Sequence, residues 1–106
     1  INKMGTYSYG PSKAAIHHLT RTLASHLADR HITANAIAPG PFPSKMTAGI
    51  QRAMGDQITE NIPLKRWGVP ADMAGTAIYL ASKAGAYVSG SVIPVDGGIV
   101  ASSRTL

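Results

Sequence analysis

A stretch patterned as a long helix runs almost directly into a short buried strand, and this junction constrains the chain more than any other feature. Ala14, Ala15, Ile16, Leu19, Leu23 and Leu27 recur at helical spacing behind Tyr9-Gly10-Pro11-Ser12-Lys13, which predicts a helix over 9–30. Pro11 is tolerated there because the first turn has no internal partner for its backbone N–H, and Arg30 and His31 suit the negative end. Ile32-Thr33-Ala34-Asn35-Ala36-Ile37-Ala38 follows at once and is bounded by Pro39-Gly40, so 32–38 reads as a strand covered on both faces. Helix, buried strand, loop and helix in that order are the grammar of a parallel α/β sheet, whose ligands bind beyond the carboxyl ends of the strands.

The segment at such an end is 39–62. Pro39, Pro41 and Pro43 stiffen its start and remove N–H donors, leaving Gly40, Phe42 and Ser44 as backbone donors and Ser44 with a hydroxyl. A stiff turn of this kind can hold an amide or a phosphate, or it can be a plain connector. Met46, Ile50, Met54 and Ile58 fall four apart, which predicts one or two short helical turns weakened by Gly49 and Gly55, suited to a lid over a substrate. After a turn-rich linker from Pro63, Pro70-Ala71-Asp72-Met73 opens a helix over 70–83 with an acid near its positive end. Ser91-Val92-Ile93-Pro94-Val95 reads as a strand ending in the turn Asp96-Gly97-Gly98. Pro94 cannot donate to a ladder, which puts one side of that strand at an edge or against another subunit.

Tyr9 and Lys13 lie one turn apart on one face of the first helix. A phenol titrates near pH ~10 and is a poor base at neutral pH, but a nearby cation favours the phenolate. Lowering its pKa by roughly three units takes about 4 kcal/mol, within reach of a close charge in a partly dry cleft, and such a Tyr can exchange a proton with a substrate oxygen. The same spacing recurs at Tyr79 and Lys83, where the helix end accounts for the cation and packing for the ring. Spacing alone therefore does not carry the chemistry.

The net charge of +5 allows an anionic partner, but the basic residues are spread along the chain without a nucleic-acid motif. There is no Cys, which excludes disulfides and thiolate ligands, and no apolar run long enough to cross a membrane. His17, His18, His26 and His31 lack the spacing and carboxylates of a metal site and read as solvated helix histidines. No Gly-x-Gly and no P-loop occur, so whatever holds a cofactor's phosphates lies elsewhere. The chain begins at Ile1 and is expected to be a piece of something longer.

Five stretches in order carry a family resemblance: Tyr-Ser-Tyr-Gly-Pro-Ser-Lys-Ala-Ala at 7–15, Asn35-Ala36-Ile37-Ala38-Pro39-Gly40, Arg66-Trp67-Gly68-Val69-Pro70-Ala71-Asp72-Met73-Ala74, Leu80-Ala81-Ser82 and Val95-Asp96-Gly97-Gly98. The chain resembles the C-terminal half of the short-chain dehydrogenase/reductase family, with Ala71 where the family commonly has Glu. The loop around Phe42 looks most like that of 3-oxoacyl thioester reductases, including those tied to rhamnolipid synthesis. The resemblance implies an α/β fold, the C-terminal part of a Rossmann-like doubly wound parallel sheet, incomplete as given. Residues 1–106 would form one part of a single NAD(P)-binding domain: catalytic helix 9–30, strand 32–38, cofactor and substrate loop 39–62, helix 70–83 and strand 91–95. It implies NAD or NADP as cofactor, with NADP favoured. Tyr9 would be the proton donor or acceptor, and Lys13 would hold the nicotinamide ribose and lower the Tyr9 pKa. Pro39, Gly40 and Phe42 would wall the nicotinamide amide, and Ser44 would stand where the family has a cofactor-contacting Thr. The family's glycine-rich phosphate loop, Asn and catalytic Ser would precede Ile1. Further expectations are a small-molecule or acyl-thioester substrate, a cytoplasmic homo-oligomer (dimer or tetramer) meeting near Val92 and helix 71–82, and neither nucleic acid nor membrane as partner. A non-catalytic binding module and an epimerase using the same Tyr and Lys are the other readings the resemblance leaves open.

Overall fold

The computed structural model describes residues 6–102, and side chains from Lys13 onward. In order these residues form α1 (Thr6–Leu27), a 3-10 turn (Ala28–Arg30), β1 (Ala36–Pro39), α2 (Ala48–Asn61), α3 (Pro70–Ala81), a second 3-10 turn (Lys83–Gly85), β2 (Val92–Val95) and α4 (Ile99–Ser102). They divide into two compact units. One takes the chain up to Ala36 together with Leu80–Ile93, and the other takes Ile37–Tyr79 together with the chain from Pro94.

In the first unit, α1 ends earlier than its apolar spacing predicts. Residues 28–30 tighten into a 3-10 turn, and His31 turns left-handed at φ 60°, its N–H donating to the Ala28 carbonyl at 2.9 Å. The covered face of α1 also differs from the apolar stripe. Ile16, Leu19 and Leu23 are exposed, whereas Lys13, His17, Thr20, Ala24 and Leu27 are covered to varying degrees. Small side chains explain the choice, because backbone can come close over them: a Cβ on Gly90 would lie 3.5 Å from that of Ala24. Thr20, 6 % exposed, satisfies its hydroxyl on the Ile16 carbonyl at 2.7 Å.

The strand expected over 32–38 begins only at Ala36. The residues before it are occupied by irregular bonds: the Ala34 N–H donates to Ser89 Oγ at 3.1 Å, and the Gly90 N–H donates to the Ala34 carbonyl at 2.7 Å. The Asn35 amide donates to the Val88 carbonyl at 3.0 Å and accepts the Ser91 N–H at 3.0 Å. This one side chain fixes where β2 may start. Gly90 meets that geometry at φ +82°, a value that L side chains rarely adopt.

β1 and β2 are neighbours in a two-stranded sheet. The Ala36 N–H donates to the Ser91 carbonyl and the Gly40 N–H to the Val95 carbonyl, both at 2.9 Å. The partners advance together along both strands, so the pair is parallel. Residues of one parity share an edge, so 91, 93 and 95 turn their polar groups toward β1 and exposed Pro94 falls on the other side.

In the second unit, 39–62 is not all loop: residues 48–61 form a continuous helix of 14 residues. Each glycine costs about 1 kcal/mol relative to Ala in a helix, yet α2 runs through both, with Ile58 half-buried beneath it and Thr59 Oγ1 donating to the Gly55 carbonyl at 2.8 Å. Ile62, 1 % exposed, is the buried apolar side chain among the described residues. It sits under Gly97, where a Cβ would fall 2.6 Å from its Cγ2. Asp96 holds this turn through Oδ1 on the Gly98 N–H at 2.9 Å and Oδ2 on the Val100 N–H at 3.1 Å. Helix α3 ends at Ala81, two residues before the expected limit, because Ser82 leaves helical geometry and its hydroxyl caps the next turn at the Ala84 N–H.

Candidate functional site

The segment after β1 builds a cavity of about 440 Å³ within the second unit. Pro39, Gly40, Phe42 and Ser44 all line it, joined by Thr47, Ile50, Ile58, Trp67 and Met73. The sequence grouped the first four; it gave no reason to add Trp67 and Met73, which tertiary packing brings from the linker and α3.

Two glycines let the walls close. A Cβ on Gly40 would lie 2.6 Å from Asp96 Cβ, so the exit of β1 could not pass the Asp96 turn with any larger residue. A Cβ on Gly68 would run into the Phe42 ring, and the Gly68 N–H donates to the Pro41 carbonyl at 2.9 Å. The Phe42 ring is thus seated against bare backbone.

The donors left by the prolines are fewer than the sequence implies. The Gly40 N–H is spent on Val95, and the Ser44 N–H donates to Thr47 Oγ1 at 2.8 Å. Among the described residues nothing accepts the Phe42 N–H, which leaves it as the backbone donor of this turn. The Thr47 N–H donates to Ser44 Oγ at 3.2 Å, so Ser44 and Thr47 hold each other reciprocally, and the Thr47 hydroxyl reaches the Phe42 carbonyl at 3.0 Å. Thr47 was not visible as a site residue in the sequence; only the closed turn shows it.

Beside the cavity, Arg66 grips Asp72 through two bonds, Nη1 to Oδ2 at 2.9 Å and Nη2 to Oδ1 at 3.2 Å. Asp72 Oδ2 also accepts the Val69 N–H at 2.7 Å, as an acid at the third helical position does for the residue that opens the helix. The Arg66 bonds first, then the Val69 N–H, hold the Asp72 carboxyl down to about 2. The guanidinium is raised in turn, chiefly by its bonds to Asp72. The clasp fixes Trp67 and Gly68 between its ends.

Lys13 lies on the covered face of α1, in the first unit, and is half-buried. Tyr9 belongs to α1 one turn earlier, and its side chain lies outside the described residues. Tyr79 is on α3 and is 43 % exposed.

The chain matches the family described as enoyl-(acyl carrier protein) reductase over residues 2–100. It is 54 % identical to the rhamnolipids biosynthesis 3-oxoacyl-[acyl-carrier-protein] reductase of Pseudomonas aeruginosa, across 92 % of this chain and 40 % of that protein. It is 44 % identical to the 3-oxoacyl-[acyl-carrier-protein] reductase FabG of Staphylococcus epidermidis, across 90 % of this chain and 39 % of that one. Among solved structures it is similar to the Pseudomonas aeruginosa RhlG/NADP active-site complex, with a TM-score of 0.80 and 51 % identity over 93 % of this chain and 42 % of that one. The chain therefore spans about two fifths of the length of the relatives it matches.

Proposed function

Because the chain belongs to the short-chain dehydrogenase/reductase family, we propose that the full-length protein is an NADP-dependent reductase of a carbonyl, of the 3-oxoacyl thioester class. The observation that carries this is the cavity at the carboxyl end of β1, lined by Phe42, whose N–H no described residue accepts, by Ser44 and Thr47, and otherwise by apolar side chains and backbone. Those groups fit the amide end of a nicotinamide: one donor for its carbonyl, one hydroxyl for its amino group, and Gly40 and Gly68 where side chains would fill the space. Pro39, Gly40, Phe42 and Ser44 would hold that end, and Lys13 the ribose. Bound NADPH supplies the hydride.

The chain's own chemistry is proton placement. Tyr9 gives its phenolic proton to the substrate oxygen as charge develops there. The Lys13 ammonium, one turn on, stabilises the phenolate that remains. Ile50, Ile58 and Met73 give the cavity an apolar side that accepts a substrate's hydrocarbon portion and excludes water.

The test is to titrate the full-length protein with NADPH and then follow nicotinamide absorbance on adding a 3-oxoacyl thioester. Saturable binding followed by oxidation of the cofactor is the expected result. Binding without turnover of any carbonyl substrate would favour a non-catalytic member of the family.

A further inference from the structure

The Ser44–Thr47 hook decides which way the Ser44 hydroxyl can hydrogen-bond. A hydroxyl has one proton and two lone pairs. Thr47 Oγ1 accepts the Ser44 N–H at 2.8 Å. Its own proton goes to the Phe42 carbonyl at 3.0 Å or the Ser44 carbonyl at 3.3 Å, and a carbonyl can only accept. With that proton on a carbonyl, Ser44 is the donor in the 3.1 Å contact between the two hydroxyl oxygens. Ser44 Oγ also accepts the Thr47 N–H, so one lone pair is left on the hydroxyl of a residue that lines the cavity.

We propose that Thr47 is a positioning residue that fixes Ser44 as an acceptor toward the cavity, so that the ligand group it meets must be an N–H donor. Together with the Phe42 N–H, which can only donate, the pair reads a neutral primary carboxamide and rejects a carboxylate, whose oxygens would face the Ser44 lone pair. A phosphate oxygen is rejected at Ser44 on the same ground. The inference rests on the turn being the seat of the nicotinamide end.

The experiment compares the affinity of the full-length protein for NADP and for its nicotinic acid analogue, which carries a carboxylate in place of the amide. Wild type and Thr47→Ser, which keeps the hydroxyl, should both favour NADP. Thr47→Val keeps the shape and releases the Ser44 proton, which can then turn toward the carboxylate. The preference should narrow by about fivefold, the effect of one ordinary hydrogen bond, with the acid analogue binding more tightly than it does to wild type. Damage to the turn alone would weaken both ligands together. The double variant Ser44→Ala/Thr47→Val should lose the gain, since no proton remains to turn. Ser44→Ala alone should also narrow the preference, which keeps the test available if Thr47→Val does not fold. An unchanged preference in Thr47→Val or in Ser44→Ala, or equal affinity of wild type for both ligands, overturns the assignment. Failure of wild type to bind either dinucleotide overturns the functional reading beneath it instead.

Discussion

Lys13 occupies the covered face of α1, while the larger apolar residues Ile16, Leu19 and Leu23 are exposed. A tyrosine one turn away is the partner that the proposed chemistry needs for the Lys13 cation. Tyr9→Phe in the full-length protein should cut turnover by roughly a hundredfold to ten-thousandfold without unfolding it, as expected for removal of a general acid. Lys13→Met should lower turnover, move the pH profile of the remainder upward and weaken cofactor binding. Tyr79→Phe is the internal control. Tyr79 sits on α3 and is 43 % exposed, so turnover should stay within a few-fold, with any loss appearing as a lower melting temperature. Abolished activity in Tyr79→Phe with activity kept in Tyr9→Phe would overturn the assignment. In the same protein, Ser44→Ala should weaken cofactor binding about fivefold and Ser44→Thr should be tolerated, as read by titration. At this scale the grouping of Pro39, Gly40, Phe42 and Ser44 was legible in the sequence, since all four line one cavity, while the pairing of Tyr9 with Lys13 stands as a proposal for the variants above to test. The sequence could not carry Thr47, because a threonine three residues past a serine is commonplace until the turn closes on it.

Among the elements, the clasp between Arg66 and Asp72 ties the linker to the start of α3 and carries a pH signature. The Asp72 pKa is depressed in the folded protein, so the stabilisation is fully present above the ordinary carboxylate range and is lost as pH falls from about 4 toward about 2. Asp72→Asn removes that dependence. Melting temperatures of wild type and variant should differ most above pH ~5 and converge by pH ~2, whereas a constant gap would show that the charge is not what matters. The sequence showed Asp72 as a helix-start acid and missed its second role, since a contact with Arg66 depends on how the intervening turn folds. The strands were legible as apolar runs, but their limits were not. Asn35 looks like an interior strand residue and in fact spends its amide on Val88 and Ser91, which pushes the start of β1 back to Ala36. Likewise α2 runs unbroken through Gly49 and Gly55, because the turn that leads into it is closed in advance by Ser44 and Thr47.

For the molecule as a whole, the apolar surface is spread rather than enclosed. Ile16, Leu19 and Leu23 are exposed in one unit, and Met46, Ile50 and Met54 in the other, Met46 at 92 %. Residues 1–106 alone are therefore expected not to melt as a cooperative monomer, because so little burial does not offset the entropy of ordering the chain. Thermal melts that broaden, and sedimentation that shifts with concentration, are the expected results; a sharp, concentration-independent transition of a monomer would contradict this. Pro94 limits how the sheet can be extended past β2. Residue 94 faces away from β1, and that side of β2 lacks one N–H, so a foreign strand laid along it would find a gap in its ladder. The β1 side carries a matching block, because 36 and 40 face β2 and Pro39 therefore turns outward, leaving that edge short of one N–H as well. Pro94→Val would restore the missing N–H on the β2 edge alone, and the full-length variant should scatter light sooner than wild type on mild heating.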